Sequence, residues 1–140
     1  MKVSDRCTEV VSHSSVKVEE NKSRVVFKNP DRTEFAISKI DGCLVTNGVR
    51  ADYLVTKGVT ASVLVELKGT DVAHACDQLL SSVEHPNVKP LLEREIGFLV
   101  VCTRYPRLDT FVLKAKQRCA RVYKAGFHVI TPKGAELDLD

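Results

Sequence analysis

Residues 52–68 read DYLVTKGVTASVLVELK, and this stretch decides the fold. Its two halves are rich in β-branched residues and flank a turn at Lys57-Gly58-Val59, which predicts two antiparallel strands. Upstream lie the apolar run CLVT at 43–46 and the dipeptide Asn47-Gly48, a strong signal for a tight hairpin. Residues 43–68 therefore predict a three-stranded antiparallel meander, which follows the alternating run EFAISKI at 34–40.

Downstream of this meander the hydrophobic period changes from that of a strand to that of a helix. Residues 96–103 are continuously apolar, which predicts a strand covered on both faces by helices. A basic helix is predicted at 109–124 with Gly126 as its stop, followed by a last strand at 127–130. The first helix, which His85-Pro86 ends, has an apolar face made of Val72, Ala75, Cys76, Leu79, Leu80 and Val83.

The predicted fold class is α/β (α+β), with a central mixed β-sheet that contains the antiparallel meander and is flanked by helices. A length of 140 residues suits a single domain with one real core. We divide 1–140 into a core at 34–130 and a poorly defined N-terminal extension at 1–33. Weak patterns in the extension predict a short helix at 4–11 and strands at 15–18 and 24–27.

The composition is that of an ordinary globular protein, with 44% apolar and 28% charged residues, and it excludes disorder and fibrous repeats. No window approaches the roughly 18 apolar residues of a membrane span, and the N-terminus has no apolar run of signal-peptide length. We therefore expect a cytoplasmic protein with no membrane partner. Four of the five cysteines stand among apolar neighbours, which predicts buried thiols and no disulfides: Cys43, Cys76, Cys102 and Cys119.

Positive charge is concentrated near the C-terminus. Residues 1–100 hold 13 basic and 14 acidic side chains, whereas 101–140 hold 8 and 4. Such a segment suits a polyanion, although a solvated helix face is an equally common origin of a charge run. The candidate nucleic-acid-binding residues in this segment are Arg104, Arg107, Lys114, Arg118 and Arg121.

Glu66-Leu67-Lys68 is an acid-x-lysine tripeptide at the end of an apolar strand. The tripeptide alone is weak evidence, because about 1.5 such matches are expected by chance at this composition. A second match, Glu20-Asn21-Lys22, lies in a polar segment that resembles a turn, and we assign it no role. The strand period of two places Glu66 and Lys68 on the same face of the sheet.

The position of Asp52 makes the tripeptide a candidate for a metal site. If Thr56 pairs with Ser62, Asp52 falls directly opposite Glu66, and their β-carbons lie within about 4.5–5.5 Å. Two carboxylates so close repel each other unless a cation holds them, and Mg²⁺ or Mn²⁺ suits such oxygen ligands. Lys68 would then orient the attacking water. Alternatively, Asp52 and Lys68 form an ion pair and Glu66 is a solvated strand residue.

This arrangement at 43–130 resembles the PD-(D/E)XK nuclease superfamily, which includes restriction enzymes and Holliday-junction resolvases. The resemblance implies a restriction-endonuclease-like fold, metal binding by Asp52 and Glu66, and assistance to the water by Lys68. It also implies that Gln78 matches a glutamine often found on the helix that follows. Ala51 stands where the family name has proline. A third acidic ligand is left open among Glu9, Glu34 and Asp41.

The expected function is that of a Mg²⁺-dependent endonuclease that hydrolyses phosphodiester bonds, and the resemblance favours DNA over RNA. A homodimer would let a protein with one site cut both strands. The alternative is a catalytically inactive, nuclease-like subunit that binds nucleic acid or has a structural role. A third interpretation is a protein-interaction domain, which predicts neither metal affinity nor salt-dependent binding to nucleic acid.

Overall fold

A computed structural model describes residues 2–20, 23–69, 72–102, 110–131 and 136–139. Within these residues lie nine strands, two helices and a single 3-10 turn at Lys89–Leu91. The helices are α1 (Val72–Glu84) and α2 (Thr110–Tyr123). The strands are β1 (Thr8–Val11), β2 (Ser15–Glu20), β3 (Ser23–Lys28), β4 (Phe35–Lys39), β5 (Tyr53–Lys57), β6 (Ala61–Gly69), β7 (Glu95–Cys102), β8 (Gly126–Ile130) and β9 (Glu136–Asp138).

Six strands form a large mixed sheet in the order β1-β4-β5-β6-β7-β8. The pairs β1–β4, β4–β5 and β5–β6 are antiparallel, whereas the pairs β6–β7 and β7–β8 are parallel. The two parallel connections contain α1 and α2, as crossovers between parallel strands require. The predicted α/β class with a mixed sheet is confirmed.

The meander consists of β4, β5 and β6, so its first strand is not the CLVT run that we predicted. Residues 43–46 instead lie in a turn, in which Leu44 and Val45 are buried and the Val45 N–H donates to the Ile40 carbonyl. Gly42, with φ +80°, permits the tight path of the chain. The apolar side chains fill the core from a loop, and Asn47-Gly48 lies in a bend within the long β4–β5 loop and not in a tight hairpin turn.

The two faces of the large sheet are covered differently. The helices α1 and α2 pack on one face, where Leu79, Cys119 and Phe98 share a core. A smaller sheet, in the order β2-β3-β9, covers the other face, where Phe27 packs with Leu99. The prediction that β7 has helices on both faces is therefore wrong. Its apolar run shows burial on both sides, but not what kind of element buries it.

The N-terminal third joins both sheets. The helix that we predicted at 4–11 is wrong, because a turn at 5–7 leads into β1. The strand β1 pairs with β4, and the hydroxyls of Thr8 and Ser38 are 2.7 Å apart. This pairing joins segments about 30 residues apart, which local helix propensity does not detect. The strands predicted at 15–18 and 24–27 are confirmed as parts of β2 and β3.

A disulfide joins Cys7 to Cys43, with their Cα atoms 5.7 Å apart. Cys43 is therefore not the free buried thiol that we predicted, whereas Cys102 and Cys119 are free and buried. Disulfides are rare in reducing compartments outside hyperthermophiles, which argues against the expected cytoplasmic location. Neither helix in the described part of the chain has the length and apolar character needed to cross a membrane.

The end of α2 also differs from the prediction. Lys124, with φ 52°, takes the left-handed position, and the Ala125 N–H donates to the Cys119 carbonyl over 3.1 Å. The left-handed Lys124 and this bond back to the last turn of α2 end the helix, so Lys124 and not Gly126 provides the stop. Gly126 begins β8, where a β-carbon would stand 2.8 Å from Nε2 of His128.

Candidate functional site

Asp52 and Glu66 lie together as the sequence predicts. Tyr53 pairs with Val65 and Thr56 with Ser62, so Asp52, one residue before Tyr53, falls opposite Glu66. The Asp52 N–H donates to the Val65 carbonyl over 3.1 Å, and its Oδ2 accepts the Leu67 N–H over 2.7 Å. These bonds hold Asp52, just before β5, against the backbone of β6 beside Glu66.

Glu66 is only 5% exposed, so the alternative in which it is a solvated strand residue is wrong. Two residues earlier, Leu64 packs in the helix-side core, so Glu66 lies on the helix-facing side of the sheet. Burial, followed by contact with the Asp52 carboxyl, raises the pKa of Glu66 to about 9. The pair therefore does not hold two negative charges readily without a cation.

Asp41 is the third acidic residue that the sequence left open. The N–H groups of Ile40 and Asp41 both donate to the Asp52 carbonyl, over 2.9 and 3.3 Å, which joins the two ends of the β4–β5 loop. Nε of Arg50 donates to Oδ1 of Asp41 over 2.6 Å. Asp41 therefore stands beside Asp52 through backbone bonds at the end of β4.

The other two candidates lie elsewhere. Glu9 is exposed on β1, opposite Ile37. Glu34 is exposed at the far end of β4, where its carbonyl accepts the Gly58 N–H. The metal-binding role that we left open for these two residues therefore has no support from their positions.

Glu20 is the site residue that sequence reasoning missed. Its carboxylate and those of Asp41 and Asp52 place one oxygen each within 4.8 Å of one another. From the sequence we assign the Glu20-Asn21-Lys22 tripeptide no role and place it in a turn, whereas Glu20 ends β2 with its carboxylate near Asp41 and Asp52. The signal was present, because Val16 and Val18 face the core, and the strand period of two puts Glu20 on the same inward side.

The carboxyl groups perturb one another. Burial and then Asp52 raise the pKa of Glu20, while Lys39 acts in the opposite direction. Among the described residues, Oε2 of Glu20 is a buried side-chain oxygen with no hydrogen-bond partner. A buried carboxylate oxygen without a donor is costly, and a hard divalent cation would satisfy it. The donor set thus fits the Mg²⁺ or Mn²⁺ that the resemblance implies.

An open cleft of about 500 Å³ is lined by three of the carboxylates, those of Asp41, Asp52 and Glu66. Gln78 and His74 on α1 line the same cleft. Nε2 of Gln78 donates to the Arg50 carbonyl over 3.2 Å, so Gln78 supports the loop that carries Asp52. A larger cavity, of about 710 Å³, lies at the opposite ends of β6 and β7, and we place the site in the smaller cleft because the carboxylates meet there.

The predicted basic residues are only partly described. The backbone of Lys68 belongs to β6, at a point where the pairing with β7 shifts between Leu67 and Gly69, but its side chain lies outside the described structure. Arg104 and Arg107 also lie outside the described residues. The role of Lys68 therefore stays a prediction. The shift in pairing interrupts the strand period of two that places Lys68 on the same face as Glu66.

The remaining basic candidates are exposed on α2 and are Lys114, Arg118 and Arg121. Arg118 shares a groove with Asp77 and Glu84 of α1, and these acids offset part of its charge. The strands β6 and β7 end side by side, at Gly69 and Cys102. After β7 the chain therefore leaves the sheet at the same end of the strands as the candidate site.

Comparison of the chain with protein-family models, curated proteins and solved structures finds no match.

Proposed function

We propose that this protein is a Mg²⁺-dependent nuclease that hydrolyses phosphodiester bonds in nucleic acid, with DNA favoured by the resemblance to PD-(D/E)XK enzymes. The observation that carries the proposal is the contact between Asp52 and the buried Glu66 across the β5–β6 hairpin, with Asp41 beside them. A buried carboxyl group that contacts a second one beside an open cleft is costly to ionise unless a cation is bound.

In this proposal Asp52 and Glu66 would hold the metal, and Asp41 would complete the acidic side of the site. Bound Mg²⁺ would lower the pKa of a water and offset charge on the phosphate. Lys68, two residues after Glu66, would orient the attacking water and stabilise negative charge in the transition state. Gln78 is a positioning residue, since it holds the Arg50 carbonyl and with it the loop before Asp52.

The exposed basic side chains of α2 would hold the phosphate backbone. Lys114 and Arg121 face solvent and can neutralise phosphates without reading base sequence. Arg104 and Arg107 are proposed to contribute to the same surface. A homodimer that cuts both strands is likewise a prediction. A location in the cytoplasm is also a prediction, and the Cys7–Cys43 disulfide does not favour it.

A cleavage assay tests this function. The protein should cut single-stranded or double-stranded DNA in Mg²⁺ or Mn²⁺ and should be inactive in EDTA. Asp52→Asn and Lys68→Ala should each lower cleavage at least a hundredfold, because the first removes a metal ligand and the second removes the group that orients the water and stabilises the transition state. Asp31→Asn is a matched control, since Asp31 is exposed in the turn after β3. Persistent cleavage by both site variants would show that the site is elsewhere.

A catalytically inactive nuclease-like subunit is the second candidate. One observation favours it: Arg50 already pairs with Asp41 at 2.6 Å and neutralises one of the acids. This alternative predicts salt-dependent binding of nucleic acid with no cleavage in any divalent cation. Cleavage by the wild type that disappears in Asp52→Asn would exclude it.

A further inference from the structure

The Glu20 carboxylate comes from a different sheet from the rest of the acidic group. Glu20 ends β2 in the small sheet, whereas Asp41 and Asp52 stand at the two ends of the β4–β5 loop in the large sheet. We propose that Glu20 is a further ligand of the divalent cation, so that the bound ion links the two sheets. The inference rests on the metal-dependent function proposed above.

The separations fit shared coordination. Oxygens of Glu20, Asp41 and Asp52 lie within 4.8 Å of one another. Two oxygens that bind one Mg²⁺ at about 2.1 Å are at most about 4.2 Å apart, so small side-chain movements would bring all three onto one ion. The backbone bonds between Asp52 and the end of β4 keep two of these ligands in place before an ion arrives.

The unpartnered oxygen of Glu20 is a second, independent observation. Its Oε2 is buried and accepts no hydrogen bond from any described residue. The neighbouring Glu19 differs, because it faces solvent and pairs with Lys17 at 3.5 Å. An inward carboxylate oxygen that finds no donor among the described residues is explained by a ligand that the oxygen would bind.

The charge balance around Glu20 points the same way. The Arg50 guanidinium is engaged with Asp41, and Lys39 is an exposed residue at the end of β4. These two cations face four carboxyl groups, because Glu66 contacts the same Asp52 from the helix-facing side. If all four were ionised, the described groups would carry excess negative charge, which a divalent cation would offset.

Calorimetric titration of the full chain with Mn²⁺ tests the assignment. We expect Glu20→Gln to weaken Mn²⁺ binding at least tenfold, since even supporting residues of metal sites cost 10–100-fold. Glu19→Gln, one residue away and outward-facing, should leave the affinity within about twofold, because exposed ion pairs contribute little. Asp52→Asn serves as the reference variant that should abolish binding.

Unfolding in urea separates a ligand from a structural residue. In EDTA, Glu20→Gln should unfold at the same or a higher urea concentration than the wild type, since it removes a carboxylate that stands close to those of Asp41 and Asp52. Added Mg²⁺ should raise the midpoint of the wild type and raise that of Glu20→Gln far less. A variant that is destabilised in EDTA but binds Mn²⁺ as the wild type does would overturn the assignment.

These outcomes distinguish the two proposals. If Glu20→Gln binds Mn²⁺ normally and Asp52→Asn does not, the Glu20 assignment fails and the metal site stands. If Glu20 is needed for Mn²⁺ binding but the protein cuts no nucleic acid, the nuclease function fails and the assignment stands. If the wild type binds neither Mn²⁺ nor Mg²⁺, both fail.

Discussion

At the scale of single residues, Asp52 connects the parts of the site. Its carbonyl accepts two N–H groups from the end of β4, and its N–H and Oδ2 bond to the backbone of β6. Its carboxyl also contacts Glu20 and Glu66, which lie on opposite sides of the large sheet. Asp52 is therefore both a structural junction and the centre of the acidic group.

The raised pKa of Glu66 predicts a pH-dependent stability for the metal-free protein. The carboxyl titrates near 4.5 when unfolded and at about 9 when folded, so the folded state retains a proton that the unfolded chain has lost. This stabilisation is fully present below pH 4.5 and is lost as pH rises through 9. The free energy of unfolding should therefore fall by up to about 1.4 kcal/mol per pH unit in that window.

Urea unfolding in EDTA at pH 5.5, 7 and 8.5 measures this slope. Glu66→Gln cannot titrate and should show a clearly flatter dependence, with the smaller contribution of Glu20 remaining. An equal slope in wild type and Glu66→Gln would mean that Glu66 is ionised in the folded metal-free protein.

At the scale of elements, the loop between β4 and β5 carries the site and is anchored at several points. The Cys7–Cys43 disulfide holds its first half, close to Asp41. Ser82 of α1 holds its second half, since its Oγ accepts the Ala51 N–H over 2.7 Å. Asn87 donates to the Leu44 carbonyl over 2.9 Å. A long irregular loop can thus present two carboxylates in fixed positions.

Ser82→Ala should destabilise the protein by about 1–3 kcal/mol, because it leaves the buried Ala51 N–H without its acceptor. Ser81→Ala is the matched control, since the neighbouring Ser81 is exposed, and it should change stability by less than about 0.5 kcal/mol. Urea midpoints measure both effects. Equal midpoints for the two variants would contradict the role of Ser82 in anchoring the loop.

The disulfide should stabilise the fold by restricting the unfolded chain. The cysteines are 36 residues apart, and closing a loop of that size contributes about 2–4 kcal/mol. The double variant Cys7→Ser with Cys43→Ser should lose that amount in urea unfolding under non-reducing conditions. A dithiol reductant should lower the stability of the wild type to that of the double variant and leave the double variant unchanged. Equal stability of the wild type and the double variant without reductant would argue against the disulfide.

At the scale of the whole molecule, three layers define where a substrate could lie. The helices cover one face of the large sheet and the small sheet covers the other, so the carboxylates open to solvent at the edge where β6 and β7 end. The α2 surface that carries Lys114 and Arg121 lies on the helix side. A nucleic acid held there would run from α2 towards the cleft.

Lys114→Gln with Arg121→Gln should weaken DNA binding, and the slope of log K against log salt should become shallower by about 2, because two phosphate contacts are lost. Fluorescence anisotropy at several salt concentrations measures the slope, in EDTA so that no cleavage intervenes. Lys17→Gln is the control, since Lys17 lies on the small sheet and pairs with Glu19. A slope unchanged in the double variant would remove α2 from the binding surface.

Sequence alone determined the β5–β6 hairpin and the pairing of Asp52 with Glu66. Both follow from local rules, because the turn at Gly58 sets the register and the register sets which side chains face each other. The helices α1 and α2 and the buried β7 were likewise predictable from hydrophobic period. These features depend on neighbours within about 20 residues of the chain.

Only the tertiary structure decided the remaining features. Apolar residues at 43–46 predict burial, but whether a strand or a turn buries them depends on the helices above them. Glu20 and Cys7 lie far from their partners in the sequence, and no local pattern states which distant group each one meets. The site therefore changed from a pair on one hairpin to a group of four carboxylates drawn from both sheets, because packing two sheets together brings distant residues into contact.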